Sequence, residues 1–155
     1  MEQDAIRAYV VETCPGTNIV FGSGAVAADD TFFIYDPNRD LPDRQQMPFA
    51  TIVTKDYGDF DNKSNLDRAG VFRLNVGVGR ATIQTLFGDG EGAHDFAALD
   101  RLMPHPVYAP QGWICVLNPS AETFERVKPL LREAYEIAIA RVARRNAGER
   151  PTSSA

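Results

Sequence analysis

The stretch Pro104–Asn118 reads PHPVYAPQGWICVLN, and it decides the fold because it joins a proline-rich loop, a strand and the start of the final helix. Each of its three prolines fixes its own φ and biases the residue before it toward extended backbone, which predicts a stiff, extended loop. Trp113–Leu117 combines aromatic and β-branched residues at the length of a buried strand. Asn118 followed by Pro119 is typical of an N-cap and a first helical residue, so a helix should begin at Pro119.

The chain before this stretch alternates between strand and helix patterns. Phe72, Leu74 and Val76 should point to one side of a strand, and Arg73 and Asn75 to the other, because side chains alternate along a strand. The predicted elements are a helix at Gln3–Thr13, strands at Asn18–Gly22, Thr31–Asp36, Phe49–Thr54 and Val71–Val76, a short helix at Arg80–Phe87, and one or two helical turns in Asp95–Leu102.

The final helix should run from Pro119 to Asn146, with a kink or break near Pro129. Its predicted buried stripe consists of Phe124, Val127, Leu131, Ala134, Ala138 and Val142. This order of elements predicts an α+β fold, a two-layer sandwich in which helices cover one face of an antiparallel sheet. Residues 1–146 should form a single domain, and residues 147–155 have the composition of a disordered tail.

Composition narrows the classes of partner. The chain has 155 residues, 44% of them hydrophobic, a net charge of −5 and a pI near 5.0. This acidity argues against nucleic acid or an anionic membrane surface as the general partner. The N-terminal residues lack the basic start of a signal peptide and no apolar run reaches membrane-spanning length, so we expect a soluble cytoplasmic protein.

No cofactor or metal is predicted. Cys14 and Cys115 are isolated, without the spacing of a zinc site or a disulfide framework. Gly22–Ala27 fits a loose dinucleotide pattern but precedes a strand, and Gly77–Arg80 lacks the lysine of a phosphate loop. Four aspartates in the Lys55–Gly70 segment suggest a divalent cation, but their spacing does not fit a calcium loop and a solvated acidic loop is the favoured interpretation; they are Asp56, Asp59, Asp61 and Asp67.

The sheet face away from the helices is the predicted functional surface. Arg73 and Asn75 should occupy it with some of Thr51, Tyr35 and Trp113. Two interpretations of Arg73 stay open: a structural ion pair with an internal carboxylate, or a clamp for an anionic ligand. Trp113 is either core or the aromatic wall of a pocket.

The loop of residues 104–111 supplies the remaining candidates. His105 titrates near neutral pH and, held in a stiff loop beside Tyr108, has the chemistry of a general acid or base. The alternative is a histidine that lies on the surface or merely anchors the loop. Gln111 completes the candidate ligand-binding set.

Several segments resemble a known bacterial family. Pro48–Asp56 (PFATIVTKD), Gly70–Val78 (GVFRLNVGV), the stretch quoted first and Leu130–Tyr135 (LLREAY) are similar to domain of unknown function 6194, a likeness that covers about residues 32–141. More distantly, a tryptophan-bearing strand before a closing helix resembles the MmcQ/YjbR-like proteins. That likeness implies a two-layer fold like that of secretion chaperones, and neither family implies a reaction.

Three classes of function follow from these patterns. The leading hypothesis is a non-catalytic module that holds a small molecule or a protein, with a second copy of the chain as one candidate partner. The first alternative is a cofactor-independent enzyme with His105 as acid/base and Arg73 orienting an anionic substrate. The second is nucleic-acid binding through Arg141, Arg144 and Arg145, which share one face of the final helix.

Overall fold

The computed structural model describes residues 1–24, 29–88 and 93–149. Residues 25–27 of the first glycine pattern and 150–155 of the predicted tail lie outside these ranges. The helices within them are α1 (Gln3–Thr13), α2 (Arg80–Phe87) and α3 (Ala121–Glu149). The strands are β1 (Thr17–Phe21), β2 (Thr31–Tyr35), β3 (Pro48–Val53), β4 (Arg73–Gly77), β5 (Met103–Pro104) and β6 (Trp113–Leu117).

The strands form one antiparallel sheet in the order β1-β2-β3-β4-β6-β5. β1 pairs with β2 from Thr17↔Tyr35 to Phe21↔Thr31. The strand at the centre of the prediction, β6, lies beside β4 and carries β5 on its other side. The sheet and the helices packed on one of its faces confirm the predicted α+β class.

The main core lies between the sheet and the helices. Ile6 and Val10 of α1 are completely buried. Every residue of the predicted α3 stripe is buried except Val142, which is partly exposed. Tyr35 also belongs to this side, where its ring meets that of Tyr135 at a centroid distance of 5.7 Å. Of the three candidates for the opposite face, Thr51 and Trp113 lie there and Tyr35 does not.

The opposite face is only partly open, because the acidic segment folds across one end of it. Leu66 from this segment packs with side chains of β3, β5 and β6 in a second, smaller apolar cluster that contains Val53, Met103, Cys115 and Leu117. Asp61 and Ser64 of the same segment are also buried at this end of the sheet. The prediction of a solvated acidic loop was wrong for these residues, and an open space remains beside the cluster.

The start of the last helix differs from the prediction by two residues. Asn118 has φ of 42°, and its side chain accepts from Phe72 N–H at 2.8 Å and donates to the Gly70 carbonyl at 2.9 Å. The N-cap is Ser120, whose Oγ accepts from Thr123 N–H at 3.1 Å. Asn118 therefore ties β6 to the start of β4 and does not cap the helix.

Three further predictions required correction. Pro129 does not break α3, which is continuous to Glu149, so of the predicted kink or break only the kink stays a prediction. Residues 95–102 contain a single turn closed by Ala98 N–H on the Asp95 carbonyl, and no helix. In the proline-rich loop, extended backbone ends at Pro104, and the chain then turns at Pro106–Tyr108 and enters a 3₁₀ turn at Ala109–Gln111. The fixed φ of proline suits the second position of a turn as well as extended backbone, so Pro106 is compatible with this turn.

Candidate functional site

A cavity of about 500 Å³ lies on the sheet face away from the helices, beside the folded acidic segment. All six residues of the predicted site line it: Arg73, Asn75, His105, Tyr108, Gln111 and Trp113. Strand β4 contributes Arg73 and Asn75, and strand β6 contributes Trp113. The two strands are neighbours, with Asn75 opposite Cys115 and Gly77 opposite Trp113. The other three come from the loop that connects β5 to β6.

Arg73 forms the floor of this cavity and is 1% exposed. Its Nη2 and Nη1 contact the two oxygens of Asp61 at 2.5 and 3.0 Å, and Nη1 also donates to Ser64 Oγ at 2.8 Å. Its Nε donates to Asn75 Oδ1 at 2.8 Å, and Asn75 Nδ2 in turn donates to Thr51 Oγ1. These bonds use four of the five guanidinium N–H groups. Of the two interpretations of Arg73, the structure shows the structural ion pair.

His105 lies in the wall and is 3% exposed. Its Nδ1 accepts hydrogen bonds from the backbone N–H groups of Val107 and Tyr108 at 3.0 and 2.9 Å. Burial, reinforced by the nearby Arg73 charge, lowers the pKa of His105 to about 3. The ring is therefore neutral at pH 7, with its proton on Nε2.

The Nε2–H group of His105 belongs to a ring that lines the cavity. This nitrogen makes no hydrogen bond to a described residue. The ring is almost entirely buried, and the part of it that lines the cavity is the part available to a ligand. The site thus offers a hydrogen-bond donor held in a fixed direction by the two backbone bonds on the other side of the ring.

Aromatic and apolar side chains form most of the remaining wall. Trp113 is half-buried, and its indole lies against β4, where an added Cβ at Gly77 would be 3.2 Å from the ring. At the mouth, the rings of Phe60 and Tyr108 meet edge to face with centroids 6.0 Å apart. Phe60 is 64% exposed and Met47 54%, so the rim presents apolar surface to solvent.

Sequence reasoning missed the contributions of the acidic segment to this site. Asp61, Ser64, Tyr57 and Phe60 all belong to it, and no periodic pattern marked them. Tyr57 donates from its hydroxyl to Asp30, a buried carboxylate that also accepts from Thr54 N–H at 2.9 Å. Burial and this hydrogen bond raise the pKa of Tyr57, which keeps the hydroxyl protonated. The four aspartates, grouped in the sequence, were the one signal available, and they were interpreted as solvated.

The family comparison extends beyond the segments that carried the resemblance. The model of a Family of unknown function (DUF6194) matches residues 1–147. The chain belongs to this family. No curated protein and no solved structure matches it. The more distant resemblance of this DUF6194 chain to the MmcQ/YjbR-like proteins stays a prediction.

The other candidate groups of the DUF6194 chain are not assembled into sites. Among the described residues, no three His, Cys, Asp or Glu side chains are grouped to hold a metal ion. Asp56 and Asp67 instead accept hydrogen bonds from backbone N–H groups of their own segment. Burial raises the pKa of Cys115 to about 12, so this thiol is unreactive at neutral pH.

The predicted basic face of the last helix is divided. Arg145 donates to the Gln45 carbonyl at 3.2 Å, Arg141 lines a small hollow beside the cavity, and Arg144 is exposed. The second glycine pattern is a strand-to-helix turn, in which Val78 and Gly79 donate their N–H groups to the Gly112 carbonyl. Within the part of the chain that the structure describes, no helix has both the length and the apolarity needed to cross a membrane.

Proposed function

We propose that this DUF6194 protein binds a small, largely apolar molecule in the cavity on the sheet face opposite the helices. The volume of about 500 Å³ lies within the range of small-molecule sites, roughly 300–1,000 Å³. Six of the lining side chains carry aromatic rings: Phe32, Tyr57, Phe60, His105, Tyr108 and Trp113. Flat apolar ligands gain from such walls through burial and ring contacts.

The observation that carries this proposal is the neutralisation of charge inside an apolar cavity. Arg73 and Asp61 are the lining residues with formal charge, and they are paired with each other. A ligand in the main cavity therefore meets no uncompensated charge. Transfer of the ligand from water costs least when the part inside this cavity is apolar. The Nε2–H of His105, which has no partner among the described residues, supplies one oriented donor that fits an acceptor such as a carbonyl or ether oxygen on the ligand.

Binding accounts for these features better than acid/base catalysis. A histidine with a pKa of about 3 is a weak base at pH 7 and carries no transferable extra proton. Arg73 has its charge satisfied by Asp61, so it is not free to orient an anionic substrate. A concave cavity is also typical of a small-molecule site, whereas protein partners usually bind flatter surfaces.

A fluorescence titration tests the proposal directly. Trp113 is the only tryptophan of the chain and lines the cavity, so energy transfer from it reports a bound dye. We expect N-phenyl-1-naphthylamine, an uncharged aromatic probe, to bind saturably with one molecule per chain and to quench Trp113 emission. Phe60→Ala should weaken this binding about three- to tenfold, because one aromatic contact is worth about 0.5–1.5 kcal/mol.

The matched control is Phe21→Ala. Phe21 is 62% exposed and Phe60 is 64% exposed, but Phe21 lies on edge strand β1 and does not line the cavity. It should leave the affinity within twofold of the wild type. Equal losses in the two variants, or binding that never saturates, would remove the proposal, since the dye would then be reporting general apolar surface.

A further inference from the structure

A second hollow of about 100 Å³ adjoins the main cavity. Met47, Pro48, Gln111 and Trp113 line both spaces. Trp113 therefore stands between them as a shared wall, with the main cavity on one side of its indole and the smaller hollow on the other. The far side of the hollow is formed by α3, through Ala134, Ile137 and Arg141.

Arg141 differs from Arg132 and Arg145 in α3, which both have partners, and from Arg144, which is exposed. Arg132 pairs with Glu136 at 3.3 Å, and Arg145 donates to the Gln45 carbonyl. Arg141 is partly buried against the hollow and makes no ion pair or hydrogen bond with any residue that the structure describes. Its guanidinium therefore keeps its hydrogen-bond donors available at the end of an apolar space.

The charge lining the two adjoining spaces is not balanced. Their charged lining residues are Arg73, Asp61 and Arg141, and the first two cancel. One positive charge remains at the α3 end, in a protein whose net charge is −5. A local positive charge with low-dielectric walls attracts an anionic group more strongly than the same charge on open surface.

We propose that Arg141 is the subsite for an anionic end group, so that the ligand is an amphiphile with an apolar body in the main cavity and a carboxylate or similar monoanion at α3. This inference rests on the proposed binding function and adds the chemical class of the ligand. An arginine guanidinium donates two parallel hydrogen bonds to a carboxylate. Arg141 therefore suits a carboxylate on a ligand whose apolar body lies in the main cavity.

Two dyes that differ only in charge separate this inference from the proposed function. 8-Anilinonaphthalene-1-sulfonate is N-phenyl-1-naphthylamine with an added sulfonate, so both present the same apolar body. Arg141→Gln in the full chain should weaken the sulfonate dye about tenfold, the usual scale of one charge-assisted contact, and leave the uncharged dye within twofold. Arg141→Lys should recover part of the loss because it restores the charge. Thermal unfolding of each variant shows that it is folded.

Arg144→Gln is the matched control, because Arg144 is exposed on the same helix and lines neither space. It should leave both dyes unchanged. The inference is overturned if the sulfonate dye still binds Arg141→Gln with unchanged affinity, or if Arg144→Gln weakens its binding equally. Binding of the uncharged dye would then still support the proposed function. Failure of both dyes on the wild-type chain overturns the proposed function instead.

Discussion

Arg73 and Asp61 form a bidentate ion pair in the floor of the cavity, with Nη2–Oδ2 and Nη1–Oδ1 distances of 2.5 and 3.0 Å. The two residues are 1% and 5% exposed, so both charges have left water. Arg73 belongs to the sheet and Asp61 to the segment that folds across it. The pair therefore fixes the position of this segment and, with it, one wall of the cavity.

Asp61→Asn should destabilise the protein by about 3–5 kcal/mol, because it leaves the buried guanidinium without its counter-charge. Urea unfolding at neutral pH measures this loss. Replacing both partners with apolar residues, as in Arg73→Met with Asp61→Leu, should cost less than the single change, since no buried charge then remains. The exposed pair of Arg132 and Glu136 is the control, and Glu136→Gln should cost at most about 1 kcal/mol. Equal costs at the two pairs would show that Asp61 is not the essential counter-ion.

Local patterns were sufficient to predict the sheet face on which the site lies. The alternation in Val71–Val76 placed Arg73 and Asn75 opposite the core, and the structure has Phe72, Leu74 and Val76 in the main core. Trp113 reaches the same face because β6 pairs directly with β4. These predictions succeeded because a period of two depends only on neighbouring residues.

The partners of these residues depended on tertiary structure and could not be predicted in this way. Asp61 lies 12 positions before Arg73 in a segment without periodicity, and its burial follows from the path of the whole segment. Asn118 shows a competition between two local preferences. Asparagine favours both the N-cap and left-handed backbone, and bonds to Gly70 and Phe72 select the second.

Gly112 holds the start of β6 against the turn before α2. Its φ is +94°, and an added Cβ would be 2.6 Å from the Cα of Gly79. Gly112→Ala should destabilise the protein by about 3 kcal/mol or more, because it combines backbone strain with a clash against another backbone. Gly70→Ala is the control, since its φ is +75° and nothing lies within 4 Å of its Cβ position. That variant should cost only the strain, about 1–2 kcal/mol by denaturant unfolding. Equal destabilisation of the two variants would mean that the turn at Gly79 moves aside for the added methyl group without cost.

His105 should make the protein sensitive to mild acid. Its pKa is about 3 in the native state and about 6.5 in the unfolded chain. Between these values the unfolded chain binds a proton that the native state excludes, so stability falls as the pH decreases below about 6.5. The contribution of this one group approaches about 1.4 kcal/mol for each pH unit.

His105→Asn isolates this effect, because the amide oxygen can replace Nδ1 as the acceptor for Val107 and Tyr108 N–H but does not titrate. Urea unfolding of both proteins at pH 7.5, 6 and 5 gives the difference in stability at each pH. Relative to its value at pH 7.5, that difference should shift by roughly 2 kcal/mol in favour of the variant at pH 5. Carboxylates that titrate in the same range are common to the two proteins and cancel. Parallel pH profiles would mean that His105 binds its proton in the folded protein, and a charged donor would then replace the neutral Nε2–H in the cavity.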